Sequence, residues 1–148
     1  MLTLREHARL RETLHTARSR VSNGTQMKRV LDVGQCAADH GAISHLIRRQ
    51  FKADVAGADD LDDALAQLRA GRFDLVLVNR KLDADGGDGL EVIRQIKADA
   101  NLAGVPLMLV SNFAEYHERA VAAGAEMGFG KAELGAPATR ERLEKFLG

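Results

Sequence analysis

At 148 residues the chain is long enough for one domain with a real core, a size at which roughly 70% of the unfolded surface is buried. With 45% hydrophobic and 28% charged residues it is neither disordered nor fibrous in composition, and its 21 basic against 21 acidic residues give no global case for nucleic acid or an anionic membrane as partner. No apolar run approaches the roughly 20 residues of a membrane span, the N-terminus lacks a secretory apolar region, and a single Cys excludes an internal disulfide framework, so a cytoplasmic protein is expected.

Residues 1–26 stand apart in pattern. Leu10, Leu14, Ala17 and Val21 follow a 4-3-4 spacing, the stripe of a short helix with a docking or coiled-coil seam. Five arginines (Arg5, Arg9, Arg11, Arg18, Arg20) against Glu6 and Glu12 give this stretch a net charge of +3, which leaves −3 for the rest. Three readings stand for it: a helix that packs on its own domain or pairs two copies, a basic interaction arm, or a segment upstream of a start at Met27. The expected division is therefore a helical extension over 1–26 and one domain over 27–148.

From Met27 the apolar pattern alternates between short runs and helical spacing. "KRVLDV" (28–33) predicts a strand, and "DHGAISHLIRRQF" (39–51) a helix through Ile43, Leu46, Ile47 and Phe51. "ADVAG" (53–57) predicts a second strand, and "DDLDDALAQLRAG" (59–71) a helix with acids in its first turn and Gly71 at its end. "FDLVLVN" (73–79) is apolar at nearly every position, as strands covered on both faces are. A helix over 89–100, a buried strand over 105–111, a helix over 115–124, a weak strand over 125–130 and a helix over 137–147 starting at Pro137 complete the pattern. Five strands alternating with five helices through short loops argue for a parallel sheet covered on both faces. Ligands of such folds bind beyond the carboxyl ends of the strands, here Gly34 and Gln35, Asn79, Ser111 and Asn112, and Lys131.

The order and spacing of several stretches resemble the receiver domain of two-component response regulators, over residues 28–147. "FDLVLVN" matches the strand that ends in the family's phospho-accepting aspartate. "DGLEVIRQIK" (88–97) matches its loop and third helix, "VPLMLVS" places Ser111 at the hydroxyl position, and "AAGAEMGFGK" (122–131) leads to the lysine, Lys131. The resemblance implies a flavodoxin-like, doubly wound sheet of order 2-1-3-4-5, carrying the extra N-terminal helix in front.

Against that pattern the departures cluster at one place. Asn79 replaces the phospho-acceptor, Gly34 and Gln35 stand where the family pairs two acids to hold Mg²⁺, Gly128 falls at the aromatic switch position, and Ala132 replaces a proline. The loop after Asn79 is two residues longer, with Asp83 where proline is common. A carboxamide oxygen is a far poorer nucleophile than a carboxylate, and Mg²⁺ wants anionic oxygen to offset its dehydration. Ser111 and Lys131 remain, an anion-tolerant corner without a catalyst. The expectation is a degenerate receiver that is not an enzyme, has no cofactor and binds Mg²⁺ weakly or not at all. It would signal through protein contact independent of phosphorylation.

Two acids offer a rescue. Asp32 lies two residues before Gly34 on the same strand face, from where it pairs with Lys131 or with something local. Asp83 belongs to "DADGGDG", which fails the EF-hand pattern at its fifth position (Gly87) and twelfth (Arg94) and reads as a solvated turn. A relocated carboxylate would leave the domain switchable by phosphate and Mg²⁺, and a scaffolding or dimerisation module is the third alternative. Cys36 reads as a structural thiol. His7, His15, His40, His45 and His117 read as surface or packing residues without metal-ligand spacing. Neither a dinucleotide-binding nor a P-loop glycine signature occurs.

The resemblance also implies a partner surface on the fourth helix, fifth strand and fifth helix, with Tyr116, Arg119, Glu126 and Phe129 as contacts. The expected partner is another signalling protein, with homodimerisation through that face or the N-terminal helix as a further expectation, and neither nucleic acid nor membrane.

Overall fold

The computed structural model describes residues 26–148; the expected N-terminal helix and its dimer seam lie outside the described residues. Five parallel strands, β1 (Lys28–Val33), β2 (Ala53–Ala58), β3 (Leu75–Asn79), β4 (Leu107–Val110) and β5 (Glu126–Phe129), pair in the order β2-β1-β3-β4-β5. They alternate with α1 (Ala37–Gln50), α2 (Leu61–Ala70), α3 (Gly89–Ala98), α4 (Ala114–Ala122) and α5 (Pro137–Leu147). The sheet order and the helix count after Met27 agree with the sequence reading, with boundaries moved by no more than two residues.

The two faces of the sheet make two cores. On one, Val30, Leu75, Leu77, Met108 and Val110 pack against Ile43 and Ile47 of α1 and Leu143 and Leu147 of α5. On the other, Leu31, Val33, Val76, Val78 and Leu109 meet Leu68 of α2, Ile93 and Ile96 of α3 and Ala120 of α4. This two-sided burial is why β3 and β4 read as unbroken apolar runs. Among the described residues no helix is long and apolar enough to cross a membrane.

Local chemistry sets the helix starts. Asp60 and Asp88 cap α2 and α3 by accepting from Asp63 N and Leu90 N, each at 2.9 Å. Cys36 caps α1, its sulfur 3.5 Å from Asp39 N, which gives the lone thiol a structural place. "DADGGDG" is a solvated turn: Gly86 takes a φ of 69°, and Lys81 bridges to Asp88 across it.

One irregularity escapes the sequence. Between β4 and β5 the register runs Met108 to Glu126 and then Val110 to Phe129, so β5 carries an extra residue, a bulge. At Gly128 an added Cβ would sit 1.9 Å from the Leu109 carbonyl oxygen. Only glycine fits there, and the bulge turns the next side chain, Phe129, inward until it is 1% exposed.

Candidate functional site

The carboxyl ends of β3, β4 and β5 converge on a cleft of about 210 Å³ lined by Asn79, Arg80, Lys81, Val110, Ser111, Asn112, Phe113 and Lys131. The parallel topology forces this: every strand delivers its last residue to the same edge, and the crossover helices start there.

Asn79 is buried and committed. Its amide nitrogen donates to Gly34 O at 3.1 Å and to Lys81 O at 2.8 Å, tying β3 to the end of β1 and to the following loop. Gly34 O also accepts from Asp83 N at 2.9 Å, so both of its lone pairs are used. Gly34 itself has a φ of 78°, and a Cβ there would fall 2.3 Å from Leu82 Cδ2. At this position the backbone conformation and the buried Leu82 both work against a larger residue.

The retained pair does not stand free either. Lys131 Nζ lies 2.8 Å from Asp39 Oδ2 in the first turn of α1, an ion pair across 92 positions of sequence that holds the Asp39 carboxyl below its usual range. Ser111 Oγ accepts from Phe113 N at 3.2 Å, and Ser111 O accepts from His117 Nε2 at 2.6 Å. Asn112 Oδ1 accepts from Ala132 N at 3.0 Å in the short 3₁₀ turn Lys131–Glu133.

Of the two partners open to Asp32, the structure places the local one beside it and gives Lys131 to Asp39. Asp32 bonds locally, its Oδ2 2.7 Å from His40 Nδ1. His40 and His117 are packing histidines, His40 bonded to Asp32 and His117 buried and bonded to Ser111 O. His40 Nε2 lies 3.4 Å from Ser44 Oγ, which completes an Asp-His-Ser sequence of contacts. Ser44 lies on the buried side of α1 at 3% exposure, so this is a packing network, not a nucleophile.

Burial pushes the Asp32 carboxyl up to about 6, against the opposing pull of His40, of the nearby Gln35 amide and of Lys131. Asp32 Oδ1 and the Gln35 amide atoms are buried without hydrogen-bond partners. A carboxyl whose folded pKa lies above its unfolded value of 3.8 stabilises fully below about pH 4 and loses that contribution as pH rises through 6. Urea unfolding across that window should show wild-type stability falling relative to Asp32→Asn by up to about 3 kcal/mol. Parallel profiles for the two proteins would contradict the assignment.

Asp83, the other candidate acid, is exposed on the turn and meets the site only through its backbone N–H. Of the expected contact residues, Arg119 and Glu126 are exposed and Tyr116 is half-buried. Phe129 is corrected: the β5 bulge seats it in the core beside Leu143. The exposed apolar residues here are Phe113, 57% exposed, with Val121 and Met127. Arg80 lies over the rings of Tyr116 and Phe113 at 4.5 and 5.9 Å, and Arg119 stacks on Tyr116 at 5.4 Å. Asp39, His40, Arg80 and Phe113 were not among the sequence-derived candidates. The predicted helix begins at Asp39, but nothing in one dimension pairs that acid with Lys131.

The arrangement matches known proteins. A family model described as the response regulator receiver domain matches residues 36–133. The chain is 27% identical over 119 residues to the chemotaxis protein CheY of Pseudomonas aeruginosa, covering 80% of this chain and 94% of that one. Among solved structures, chemotaxis protein CheY4 of Vibrio cholerae superposes with a TM-score of 0.64 at 21% identity, over 81% of this chain and 95% of its own. The receiver domain of a DNA-binding response regulator from Colwellia psychrerythraea gives 0.69 at 21% identity, over 80% and 96%. From its strand order to its family match, the chain belongs to the response regulator receiver domains of two-component signalling.

Proposed function

We propose that this domain is a pseudo-receiver, a signalling module that works by binding another protein without being phosphorylated. The observation that carries the reading is Asn79. Where the family's chemistry needs a nucleophilic carboxylate, this chain has an amide whose N–H groups are bound to two backbone carbonyls. The residues do not suit Mg²⁺. Gly34 O is saturated, the end of β1 offers no carboxylate beyond Asp32, and Asp32 is buried against His40. Among the described residues no three His, Cys, Asp or Glu side chains converge as a metal site.

Lys131, the cation that would meet a phosphoryl group, is held by Asp39. Without a charge that arrives and leaves, nothing biases the domain between two states, and one arrangement dominates. Partner contact then falls to the exposed face of Phe113, Tyr116, Arg119, Glu126 and Met127, which combines apolar, aromatic and charged groups as protein interfaces do. This makes the chain an adaptor or competitor, not an enzyme, with the cytoplasm as its compartment.

The test is an amide NMR titration of the full chain with Mg²⁺ and then beryllofluoride, a mimic of the phosphoryl group. Resonances of Asn79, Ser111 and Lys131 should stay in place. Their concerted movement with both additions would mean that another carboxylate has been recruited, and the proposal would fail.

A further inference from the structure

A second concavity lies between α1 and α5, on the other side of the sheet from α4. It encloses about 600 Å³. Leu46 and Leu134, half-buried and packed on the core beneath, line it. Arg49, Arg140 and His45 also line it, all exposed, and the buried Gln50 Oε1 at its edge has no hydrogen-bond partner. No acid lines the groove, although residues 27–148 hold 19 acids against 16 bases. Among the described residues, the ion pairs take up Arg48, Arg69, Arg72, Arg94 and Lys131 but neither Arg49 nor Arg140.

We infer that this groove receives an acidic amphipathic segment of a partner protein. Apolar side chains of the segment would cover Leu46 and Leu134, its carboxylates would meet Arg49 and Arg140, and an N–H would satisfy Gln50 Oε1. Charge complementarity selects this occupant. The chain's own residues 1–25 carry a net +3 and would bring like charge to the two arginines.

The inference rests on the protein-binding reading above but uses a different surface. Groove and aromatic face lie on opposite helical layers, so the domain can hold two proteins at once, as an adaptor must.

The experiment uses the full chain and a fluorescent synthetic peptide with leucine at i, i+3 and i+4 positions and glutamate elsewhere, beside its lysine counterpart. Fluorescence anisotropy should show saturable binding of the acidic peptide that weakens with added salt. An Arg49→Glu/Arg140→Glu variant should lose affinity roughly tenfold or more, whereas Phe113→Ala should not change it. Both arginines are exposed, so circular dichroism should show the variant folded. No saturable binding, equal binding by the double variant, or equal binding of the lysine peptide would overturn the proposal. Binding to anionic phosphatidylserine vesicles with none to the peptide would overturn it as well. Loss of peptide binding in Phe113→Ala alone would place the contact on the aromatic face, leaving the pseudo-receiver reading intact and this one refuted.

Discussion

Asn79→Asp is expected to lower stability near neutral pH by about 1–3 kcal/mol and still to leave the domain without phosphoryl-acceptor activity. The substitution is nearly isosteric, so the cost is one of polarity. Two N–H bonds to Gly34 O and Lys81 O become a carboxylate oxygen facing two carbonyl oxygens at the same distances. Burial adds to this, because Asn79 is 8% exposed and a charge there loses its hydration. Both effects disfavour the ionised form and raise the folded-state pKa of the new acid. The deficit should therefore shrink as pH falls and the carboxyl regains a proton to donate. Urea unfolding at neutral and acid pH checks the energetics. Intact-protein mass after incubation with a small-molecule phosphodonor and Mg²⁺ checks the chemistry. A variant as stable as wild type that gains a phosphoryl mass would show that Asn79 alone had silenced the site.

The second large effect belongs to Gly128→Ala, expected to cost about 3 kcal/mol although it adds only a methyl group. The neighbour at 1.9 Å is the carbonyl oxygen of Leu109, in the middle of β4, and it cannot yield without disturbing the pairing of β4 and β5. An aromatic switch residue therefore cannot be restored at this position by substitution alone. Gly41→Ala is the internal control. It lies exposed within α1 with nothing within 4 Å of the added Cβ, so it should stabilise by up to about 1 kcal/mol. Thermal melts of the two variants should move in opposite directions. Equal or parallel shifts would mean that the bulge yields more easily than its geometry implies.

Much of the fold was legible because its signals are local and periodic. The apolar runs of β3 and β4, the stripe of α1, the first-turn acids of α2 and Pro137 at the start of α5 each act within a few residues of their own position. Which residues end the strands follows from the same reading, so the sequence alone places Asn79, Gly34, Ser111 and Lys131 at one edge. Phe129 was misplaced for a physical reason. The resemblance puts it on the β5 surface, whereas the extra residue at the bulge, which no local spacing marks, pairs it with Val110 and seats it in the core.

The sequence by itself determined the alternation of strands and helices, the edge on which the site lies and the identity of the groups at it, including the amide where a nucleophile would stand. The tertiary structure alone decided who bonds to whom. Lys131 meets Asp39 and not Asp32, Asp32 meets His40, and Asn79 is secured by carbonyls from β1 and from its own loop. The reason is that composition and spacing act along the chain, whereas a salt bridge or a buried hydrogen bond depends on distances between elements that only packing sets.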